Sequence, residues 1–355
     1  MKHILLFFCW CSVLLLWGCA ASVYINPSIW GGIFGVVGLA FPFCVFAVVV
    51  MLVICLIFRQ KAAFIPLLGL IGCYGSVRDY FPINLNTTPP KSCLKVMSYN
   101  TLSFGRWQTD EKGNYAVIRF IGTQDCDLVA VQESPLRLDY QDEDIKRDFR
   151  RYGYYYEWLP LGINAVGLAS RFPIVGKETI CHNDLNGATA FYVSPKQGDT
   201  IIVVNAHLQS MRLSTEDRNQ YHQIVKNPEQ ADTIKGKRTI LTKIAQASRL
   251  RATEADSIAQ FLDRHQGKKI ILMGDFNDTP VSYAHHQVCS RLTDAYRSSG
   301  SGLGRSFNQD AIIVRIDNIF CSKHWKPYGA FVDNSVPFSD HYPIIAYLQP
   351  LNAGS

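Results

Sequence analysis

The segment Ile270-Ile-Leu-Met-Gly-Asp-Phe-Asn277 shows how the second part of the chain folds. It begins with four consecutive apolar residues, and such a short run predicts a buried strand at Ile270–Met273. Comparable runs predict further strands at Leu94–Ser98, Leu128–Val131, Ala165–Ala169, Ile201–Val204, Ile316–Cys321 and Ile344–Leu348. Helical patterns occur at Tyr115–Gln124 and Thr239–His265, and Met211–Lys237 is polar enough to be a surface insertion. The alternation predicts two packed sheets with helices outside.

Polar side chains follow these strands where ordinary turn residues would be expected. They are Asn100, Glu133, His207, Asp275, Asn277, Asp317, Asp340 and His341. Taken singly, each has an ordinary explanation as a cap, a turn residue or a hydrogen-bonded core histidine. Taken together, they supply carboxylates for a hard cation such as Mg²⁺, a carboxylate to activate water, and imidazoles to stabilise charge on phosphorus. The sequence has no clustered Cys and His ligands, which argues against zinc.

Four motifs occur in a fixed order: Gln132-Glu133, Asn205-Ala-His207, Gly274-Asp-Phe-Asn277 and Ser339-Asp-His-Tyr-Pro343. In these motifs the chain resembles the endonuclease/exonuclease/phosphatase superfamily, the DNase I-like enzymes, over about residues 94 to 349. The resemblance implies a four-layer α/β sandwich with the active site at one edge of the paired sheets. It also implies a metal-dependent phosphoric ester hydrolase that uses Mg²⁺, with Mn²⁺ as a possible substitute.

The resemblance assigns three residues to the metal. Glu133 would be the principal Mg²⁺ ligand, and Asn100 would lie nearby as a ligand or as an amide that orients one. Asp340 would lie by the metal or near the leaving group. Whether one or two metal ions act stays open.

The resemblance assigns the other site residues to the reacting groups. Asp275, held in place by Asn277, would position and activate the attacking water. His341 would contact the scissile phosphate, with its other ring nitrogen bonded to Asp317. His207 would hydrogen-bond a phosphoryl oxygen or assist departure of the leaving oxygen.

Several other residues are weaker candidates. Asn164 and Ser170-Arg171 flank a strand in a pattern common in the family, although a structural arginine is equally expected. Arg249 and Arg251 carry charges that could meet phosphate, but a solvated helix face is the commoner explanation. The aromatic cluster at residues 152–158 could stack on bases or enter lipid headgroups, and we interpret it as half-buried strand aromatics.

The sequence leaves the substrate open among nucleic acids, phospholipids and small phosphodiesters. The net charge of +6 is too mild to indicate a nucleic-acid binder, and the long basic segments of abasic-site enzymes are missing. Ile313-Val-Arg-Ile-Asp-Asn318 stands where inositol 5-phosphatases carry Pro-Xaa-Trp-Cys-Asp-Arg. A catalytically silent phospho-ligand-binding or scaffold domain is the alternative, but its expected loss of the metal Glu or the water-activating Asp is not seen. No protein partner is inferred.

The first 80 residues are predicted to form a membrane region, followed by a linker at 81–92 and the catalytic domain at 93–355. No Asp, Glu, Lys or Arg occurs between Lys2 and Arg59, which is too long for a signal peptide and long enough for two membrane crossings. The apolar runs are Ile4–Val23, Ile29–Phe58 and the shorter Ala62–Val77. A lipoprotein signal ending at Cys19 fits poorly, and a transporter is not indicated because the runs carry no charge.

The basic residues predict the orientation of this membrane region. Lys2 and Arg59-Gln60-Lys61 lie at the same, cytoplasmic side if the first two runs form a hairpin. The third run then decides where the catalytic domain lies: outside the cytoplasm if it crosses, inside if it stays at the interface. We favour crossing, and so predict a multi-pass protein of the cell inner membrane with an extracytoplasmic catalytic domain. The 11 cysteines show no pairing pattern and leave the redox compartment open.

Overall fold

A computed structural model describes residues 2–109, 115–134, 142–161, 164–183, 185–211, 232–309 and 314–351. The chain divides into two compact units. The first comprises Met1–Pro82, Met211–Thr253 and Thr279–His286, and the second Ile83–Ser210, Glu254–Asp278 and Gln287–Ser355. Each unit is considered by itself.

The second unit contains two six-stranded sheets. Their strands are β1 (Leu94–Asn100), β2 (Leu128–Gln132), β3 (Tyr155–Leu161), β4 (Asn164–Ser170), β5 (Ile174–His182), β6 (Gly187–Lys196), β7 (Asp199–His207), β8 (Lys269–Asp275), β9 (Thr293–Asp294), β10 (Asp317–Cys321), β11 (Trp325–Val332) and β12 (Ile344–Pro350). The first sheet has the order β11-β12-β1-β2-β4-β3, and the second has the order β5-β6-β7-β8-β10-β9. Both sheets mix parallel and antiparallel pairs.

Apolar side chains from both sheets form one core cluster, which includes Val96, Leu128, Phe191, Val203, Ile271, Ile319 and Ile344. The helices α7 (Ala116–Thr123) and α8 (Asp142–Arg150) flank the first sheet, where Ile118, Ile121 and Phe149 join a second cluster. Two mixed sheets flanked by helices confirm the predicted DNase I-like α/β sandwich. All seven predicted strands are present.

The sequence patterns missed several strands because their exposed faces carry polar or aromatic residues. In β5 only half-buried and exposed positions occur, so no apolar run marks it. The aromatic cluster enters β3, as interpreted: Tyr154 and Tyr156 are buried, and Phe149 stacks on Tyr156 at a ring distance of 4.2 Å. These rings therefore pack in the core of the second unit.

The long helix α9 (Asp232–Arg264) begins earlier than predicted. Its first residues fall inside the stretch Met211–Lys237 that the sequence predicted as an insertion, and 212–231 lie outside the described residues. The other helices after residue 82 are short. They are α10 (Tyr283–Cys289), α11 (Ala295–Ser299) and a single helical turn, α6 (Leu102–Arg106).

The first unit begins with an antiparallel helix pair. Helix α1 (Lys2–Ala21) packs against α3 (Phe41–Ile57). Two contacts show the antiparallel direction: the Sγ atoms of Cys9 and Cys55 are 3.6 Å apart, and so are those of Cys19 and Cys44. The turn between them includes α2 (Ile33–Leu39). The two helices therefore form a hairpin, and its crossing of a membrane stays a prediction.

A third apolar segment returns beside α1. Helices α4 (Phe64–Gly72) and α5 (Tyr74–Tyr80) follow one another with a break at Cys73. The indole of Trp17 donates to the carbonyl of Gly69 at 3.0 Å, and the rings of Phe41 and Tyr80 lie 6.1 Å apart. Lys61 lies just after the end of α3, whereas Tyr80 contacts Phe41 at the start of α3. The third segment therefore runs along the length of α3 and ends near the turn of the hairpin.

The apolar runs are less regular than the sequence suggested. The run Ile29–Phe58 is interrupted at Gly31 and Gly32, which have φ of 67° and 89°, and again by a 46° bend after Leu39. Among the described residues, one helix, His3–Tyr24, is long and apolar enough to cross a membrane, or two if the bent pair counts as one span. The third segment is shorter than that measure requires.

The first half of α9 belongs to this first unit and packs on the turn of the hairpin. A Cβ atom on Gly32 would lie 2.1 Å from the carbonyl oxygen of Ala245, and one on Gly35 would lie 2.3 Å from Oγ of Ser248. Glycine is therefore required at both positions for this close approach. The sequence analysis predicted that Arg249 and Arg251 lie on a solvated helix face. Arg249 is exposed, as predicted. The prediction is wrong for Arg251, which is only 1% exposed and donates to Oγ of Ser248 at 3.1 Å.

Candidate active site

The carboxylate of Asp275 lies at the centre of the polar cluster in the second unit. Its Oδ2 accepts hydrogen bonds from the amides of Asn100 at 3.1 Å and Asn277 at 3.3 Å. Nε2 of His207 lies 3.8 Å and Nε2 of His341 lies 3.7 Å from the same oxygen. Four predicted site residues thus converge on one atom of a fifth.

Strand register explains this convergence. In the second sheet Asp275 is paired with both His207 and Asp317, so the ends of β7 and β8 and the start of β10 meet at one edge. In the first sheet Asn100 pairs with Gln132, which places Glu133 directly beyond the end of β2. Parallel strands that end together bring their terminal side chains to one place.

Close backbone packing positions Asp275. A Cβ atom on Gly274 would lie 1.9 Å from the carbonyl oxygen of Ala206 on the neighbouring strand. Only glycine allows the two parallel strands to pair here. The glycine of the Gly-Asp-Phe-Asn motif is therefore explained by strand pairing, and it brings His207 and Asp275 side by side.

Glu133 lies at the accessible side of the cluster. Its Oε1 accepts from the Asn100 amide at 3.1 Å and lies 3.7 Å from Nε2 of His207, and its side chain is 27% exposed. Glu133 and Asn277 both have positive φ, 50° and 49°. Strained backbone of this kind concentrates at functional sites, where surrounding contacts hold it in place.

His341 and Asp317 form a buried hydrogen-bonded pair, with Nδ1 of His341 2.9 Å from Oδ2 of Asp317. Burial lowers the pKa of the imidazole, but the charges of Asp317 and Asp275 and the hydrogen bond outweigh it and raise the pKa to about 10. The contact leaves Nε2 directed towards Asp275. The pair thus places the imidazole beside the central carboxylate, and its contact with the scissile phosphate stays a prediction.

Burial raises the pKa of the Asp275 carboxyl above its ordinary range, and the charge of Asp317 adds to the rise. His341 and His207 act in the opposite direction, as does the backbone N–H of Asn277 that donates to Oδ1 at 2.8 Å. A carboxylate with a raised pKa is a better proton acceptor than one in water. These surroundings suit a general base.

The donor set fits a hard divalent cation. Two carboxylates, Glu133 and Asp275, accept from the same Asn100 amide, and close carboxylates repel unless a cation neutralises them. Nε2 of His207 is buried without a hydrogen-bond partner among the described residues. Oxygen-rich sites of this kind suit Mg²⁺ or Mn²⁺.

A second arrangement of donors also comes close together. Carboxylate oxygens of Asp275 and Asp317 and a ring nitrogen of His341 lie within 4.8 Å of one another. In this group the imidazole is already hydrogen-bonded to Asp317, whereas Glu133 is the more exposed carboxylate of the cluster. Asp340 is half-buried beside His341, and its negative charge contributes to the raised pKa of that ring.

The sequence did not indicate how the two sheets are tied together beneath the site. The Asn205 amide donates to the carbonyls of Val131 at 3.0 Å and Gly167 at 2.8 Å, and its oxygen accepts from Gln132 at 2.7 Å. Asn205 precedes His207 by two residues, and Gln132 precedes Glu133. A buried amide bridge therefore fixes a strand end of each sheet relative to the other.

Asn205→Ala is expected to lower the free energy of unfolding by about 2–4 kcal/mol, because it leaves buried backbone and amide groups without partners. Chemical denaturation of the purified full chain, followed by circular dichroism, measures this. Asn84→Ala, which removes the half-buried bonds from the Asn84 amide to the carbonyls of Arg297 and Gly300, is the matched control with a smaller expected loss. Equal losses for the two variants would contradict the structural role of the bridge.

A second network of hydrogen bonds supports the site, and the sequence analysis did not predict it because its residues are far apart in the chain. Leu208, next to His207, accepts through its carbonyl from Asn277 at 2.9 Å and from Asn186 at 3.0 Å. The buried carboxylate of Glu254 accepts from the backbone N–H of Gln209 at 2.7 Å. These bonds hold the segment that carries His207 and orient the Asn277 side chain.

The turn α6, which follows Asn100, is left-handed. Its five residues and Trp107 all have φ between 46° and 68°. Left-handed turns cost about 1–2 kcal/mol per non-glycine residue, so surrounding contacts must hold this one. The backbone N–H of Ser103 donates to the carbonyl of Glu133 at 2.9 Å, and Ser339 donates to the carbonyl of Asn100 at 2.8 Å. The turn therefore ties Asn100 to Glu133.

The weaker candidates have structural explanations. Arg171 donates to the carbonyl of Tyr152 at 2.6 Å and to Asp125 at 3.0 Å, and its guanidinium lies over the Tyr154 ring. Oγ of Ser170 accepts from the backbone of the same turn. Asn164 begins β4, opposite Leu161 of β3.

Two family models match the chain. The endonuclease/exonuclease/phosphatase family matches residues 97–341, and a family described as a domain of unknown function (DUF8431) matches residues 2–80. Among curated proteins, no match was found.

Solved structures share the fold at low identity. A 3′ phosphatase from Neisseria, NExo, bound to a product DNA hairpin, is 16% identical with a TM-score of 0.51, covering 71% of this chain and 98% of that one. The human Nocturnin catalytic domain with bound sulfate is 16% identical (TM-score 0.50; 74% and 97% covered). An endonuclease/exonuclease/phosphatase from Beutenbergia cavernae is 15% identical (TM-score 0.50; 74% and 73% covered).

The family match covers more than half of the chain and includes every predicted site residue. The chain belongs to the endonuclease/exonuclease/phosphatase family. It is therefore a phosphoric ester hydrolase by class, in a family that generally depends on divalent metal ions.

Proposed function

We propose that the chain is a membrane-anchored, Mg²⁺-dependent hydrolase of phosphate esters, either diesters or monoesters. The observation that carries the proposal is the convergence of Asn100, His207, Asn277 and His341 on the Asp275 carboxylate, with Glu133 bound to the same Asn100 amide. Those groups are the ones that metal-assisted attack of water on phosphorus requires.

Glu133 would hold the cation, with Asn100 orienting its carboxylate and Asp340 nearby. When bound, Mg²⁺ supplies positive charge that neutralises the phosphoryl oxygens. Mn²⁺ is the expected substitute, since it also prefers oxygen ligands.

Asp275 accepts the proton of the attacking water, and its raised pKa makes it able to do so. Asn277 holds this carboxylate through its backbone N–H and its amide. His341, charged and fixed by Asp317, stabilises negative charge on the phosphoryl group. His207 has an unpaired buried Nε2 from which it donates to a phosphoryl or leaving oxygen.

The proposed substrate class is defined by the phosphate ester group, which nucleic acids, phospholipids and small phosphodiesters all contain. The Neisseria structure was solved with a product DNA hairpin, and that ligand is a property of that protein. For an enzyme fixed to a membrane, a phospholipid or another envelope phosphodiester comes first in the panel to be tested, and DNA and RNA come next.

The full chain in detergent is expected to hydrolyse an aryl phosphodiester with Mg²⁺ and to stop when EDTA is added. Glu133→Gln is expected to raise the Mg²⁺ concentration for half-maximal activity by about 10–100-fold or more, since even outer-shell partners have effects of that size. A titration of rate against Mg²⁺ measures this, with the exposed-strand variant Glu178→Gln as control. An unchanged Mg²⁺ requirement in the Glu133 variant would reject this residue as a ligand.

The proposal takes the third apolar segment as a membrane crossing, although it is shorter than the other two. The first pair is antiparallel, and the segment from Lys61 to Tyr80 returns beside α1 to the turn of the hairpin. Because Lys2 and Arg59 lie at the opposite, basic end, the positive-inside rule puts the turn and Tyr80 outside the cytoplasm. We therefore propose an extracytoplasmic catalytic domain.

Alkaline phosphatase fused after Val77 is expected to be active, because the enzyme matures only outside the cytoplasm. The same reporter fused after Lys61 is expected to be inactive. Whole-cell phosphatase assays, normalised to the amount of fusion protein, measure both. Activity only after Lys61 would reverse the orientation, and similar activity at both positions would contradict the third crossing.

A further inference from the structure

An open cavity of about 240 Å³ lies within the first unit, between the hairpin turn and the first half of α9. It is lined by Ser28, Gln246, Arg249, Leu250 and Thr253. Four of these residues recur at positions 246, 249, 250 and 253, which is the spacing of one stripe along a helix. Ser28, held in a turn by the Asn26 side chain, closes the other side.

The cavity carries one positive charge. Among the residues that the structure describes, no carboxylate pairs with Arg249, and none of the residues lining the cavity is acidic. The hydroxyl of Ser28 and the amide of Gln246 add neutral hydrogen-bonding groups, while the hydroxyl of Thr253 donates to the carbonyl of Arg249 at 3.4 Å. An arginine with hydroxyl and amide neighbours suits a phosphate that also carries hydroxyl groups.

The surroundings of the cavity are apolar and exposed. Trp30 is 76% exposed and Ile29 54%, both directly after Ser28, and Leu250 in the cavity wall is 43% exposed. Tyr24, just before the turn, is 71% exposed. Tryptophan and tyrosine at the end of an apolar helix are typical of the boundary between lipid tails and headgroups.

The packing of α9 fixes the cavity at this boundary. Gly32 and Gly35 approach Ala245 and Ser248 so closely that a side chain at either glycine would collide with the helix. The stripe that contains Arg249 is therefore held beside the turn where the apolar helices end. At that depth the phosphate groups of a bilayer would be expected, rather than its hydrocarbon or the bulk solvent.

We propose that this cavity binds the headgroup of an anionic glycerophospholipid, with Arg249 on the phosphate and Ser28 and Gln246 on the headgroup hydroxyls. Leu250 and Trp30 contact the glycerol and upper acyl region. The inference rests on the membrane anchoring in the proposed function, but it concerns a site other than the catalytic one. Anionic lipid is preferred over a choline lipid because no acidic group in the lining receives the quaternary ammonium.

The test uses the full chain in a zwitterionic detergent, titrated with short-chain phosphatidylglycerol and monitored by native mass spectrometry. Arg249→Gln is expected to weaken retention of this lipid by about tenfold or more, the scale of one charge-assisted hydrogen-bonded contact. Arg264→Gln, an exposed arginine near the end of the same helix, is the matched control and is expected to leave retention unchanged. Leu250→Glu, an exposed position beside the cation, is the second variant and is also expected to weaken it.

Two comparisons identify the ligand. Phosphatidylcholine is expected to bind more weakly than phosphatidylglycerol, and excess inorganic phosphate is expected to displace the lipid poorly because it lacks the apolar part. Equal retention of both lipids, full displacement by phosphate, or wild-type retention by both variants would each overturn the proposal. Hydrolysis of a soluble diester and recovery in the membrane fraction are expected to be unchanged by Arg249→Gln, so a failure of the proposed function would be seen separately in the wild type.

Discussion

Asp275→Asn is expected to lower kcat on an aryl phosphodiester by about 10²–10⁴-fold, the range that a positioned general base contributes. The amide keeps the size of the side chain but cannot accept the proton of water. It also removes the negative charge that faces His341 and His207 at 3.7 and 3.8 Å. Steady-state kinetics of the full chain at saturating Mg²⁺ measure the loss.

The same variant separates catalysis from stability. Burial raises the pKa of Asp275, so the ionised form is disfavoured in the folded state and weakens it at neutral pH. In EDTA the Tm of Asp275→Asn is therefore expected to be no lower than that of the wild type. Asp263→Asn, which loses an exposed ion pair with Arg291, is the control and should keep full activity. Activity in Asp275→Asn within a few-fold of wild type would remove Asp275 from the mechanism.

His341→Ala is expected to lower kcat by about 10²–10³-fold, the scale of one group that stabilises developing charge. This change also leaves Asp317 buried without its imidazole partner, which costs stability. The double variant His341→Ala with Asp317→Asn removes the orphaned charge. It is expected to recover Tm but not activity, so thermal melts and kinetics together distinguish chemistry from folding.

The raised pKa of His341 gives this pair a pH dependence in EDTA. A histidine with its folded pKa at about 10 and an ordinary value of 6.5 contributes stability that is fully present below the ordinary value. The contribution is lost as pH rises through the folded value. Wild-type Tm is therefore expected to fall more between neutral and alkaline pH than the Tm of the double variant. Parallel curves for the two proteins would show that the ring is not held as a cation.

The sequence predicted the buried strands and the residues that cluster around Asp275 because both leave local signals, while the chemical roles of those residues stay predictions. An apolar run such as Ile270–Met273 marks a strand buried on both faces, and the Gly-Asp-Phe-Asn and Ser-Asp-His-Tyr-Pro motifs place the carboxylates and imidazole. Half-exposed strands left no such run, as β5 shows. The predicted surface exposure of Arg251 failed because the N-terminal turn packs on α9, a contact between segments more than 200 residues apart.

Sequence patterns also did not predict the hydrogen bonds that support the site, because these bonds join residues that are distant in the chain. Asn205 reads as part of a motif, but its bonds to Val131 and Gly167 depend on how the two sheets stack. Glu254 lies on a helix whose periodicity gives no sign that its carboxylate accepts from Gln209. Such partners become visible only when strands distant in the chain are brought to one edge.

The position of β12 in the first sheet has a consequence during synthesis. This strand lies between β11 and β1, yet the ribosome makes it some 250 residues after β1. Until β12 emerges, one edge of β1 is without its partner, and His341, three residues before β12, is not yet held beside Asp275. The group of side chains around Asp275 therefore cannot be complete in a nascent chain until β12 has been made.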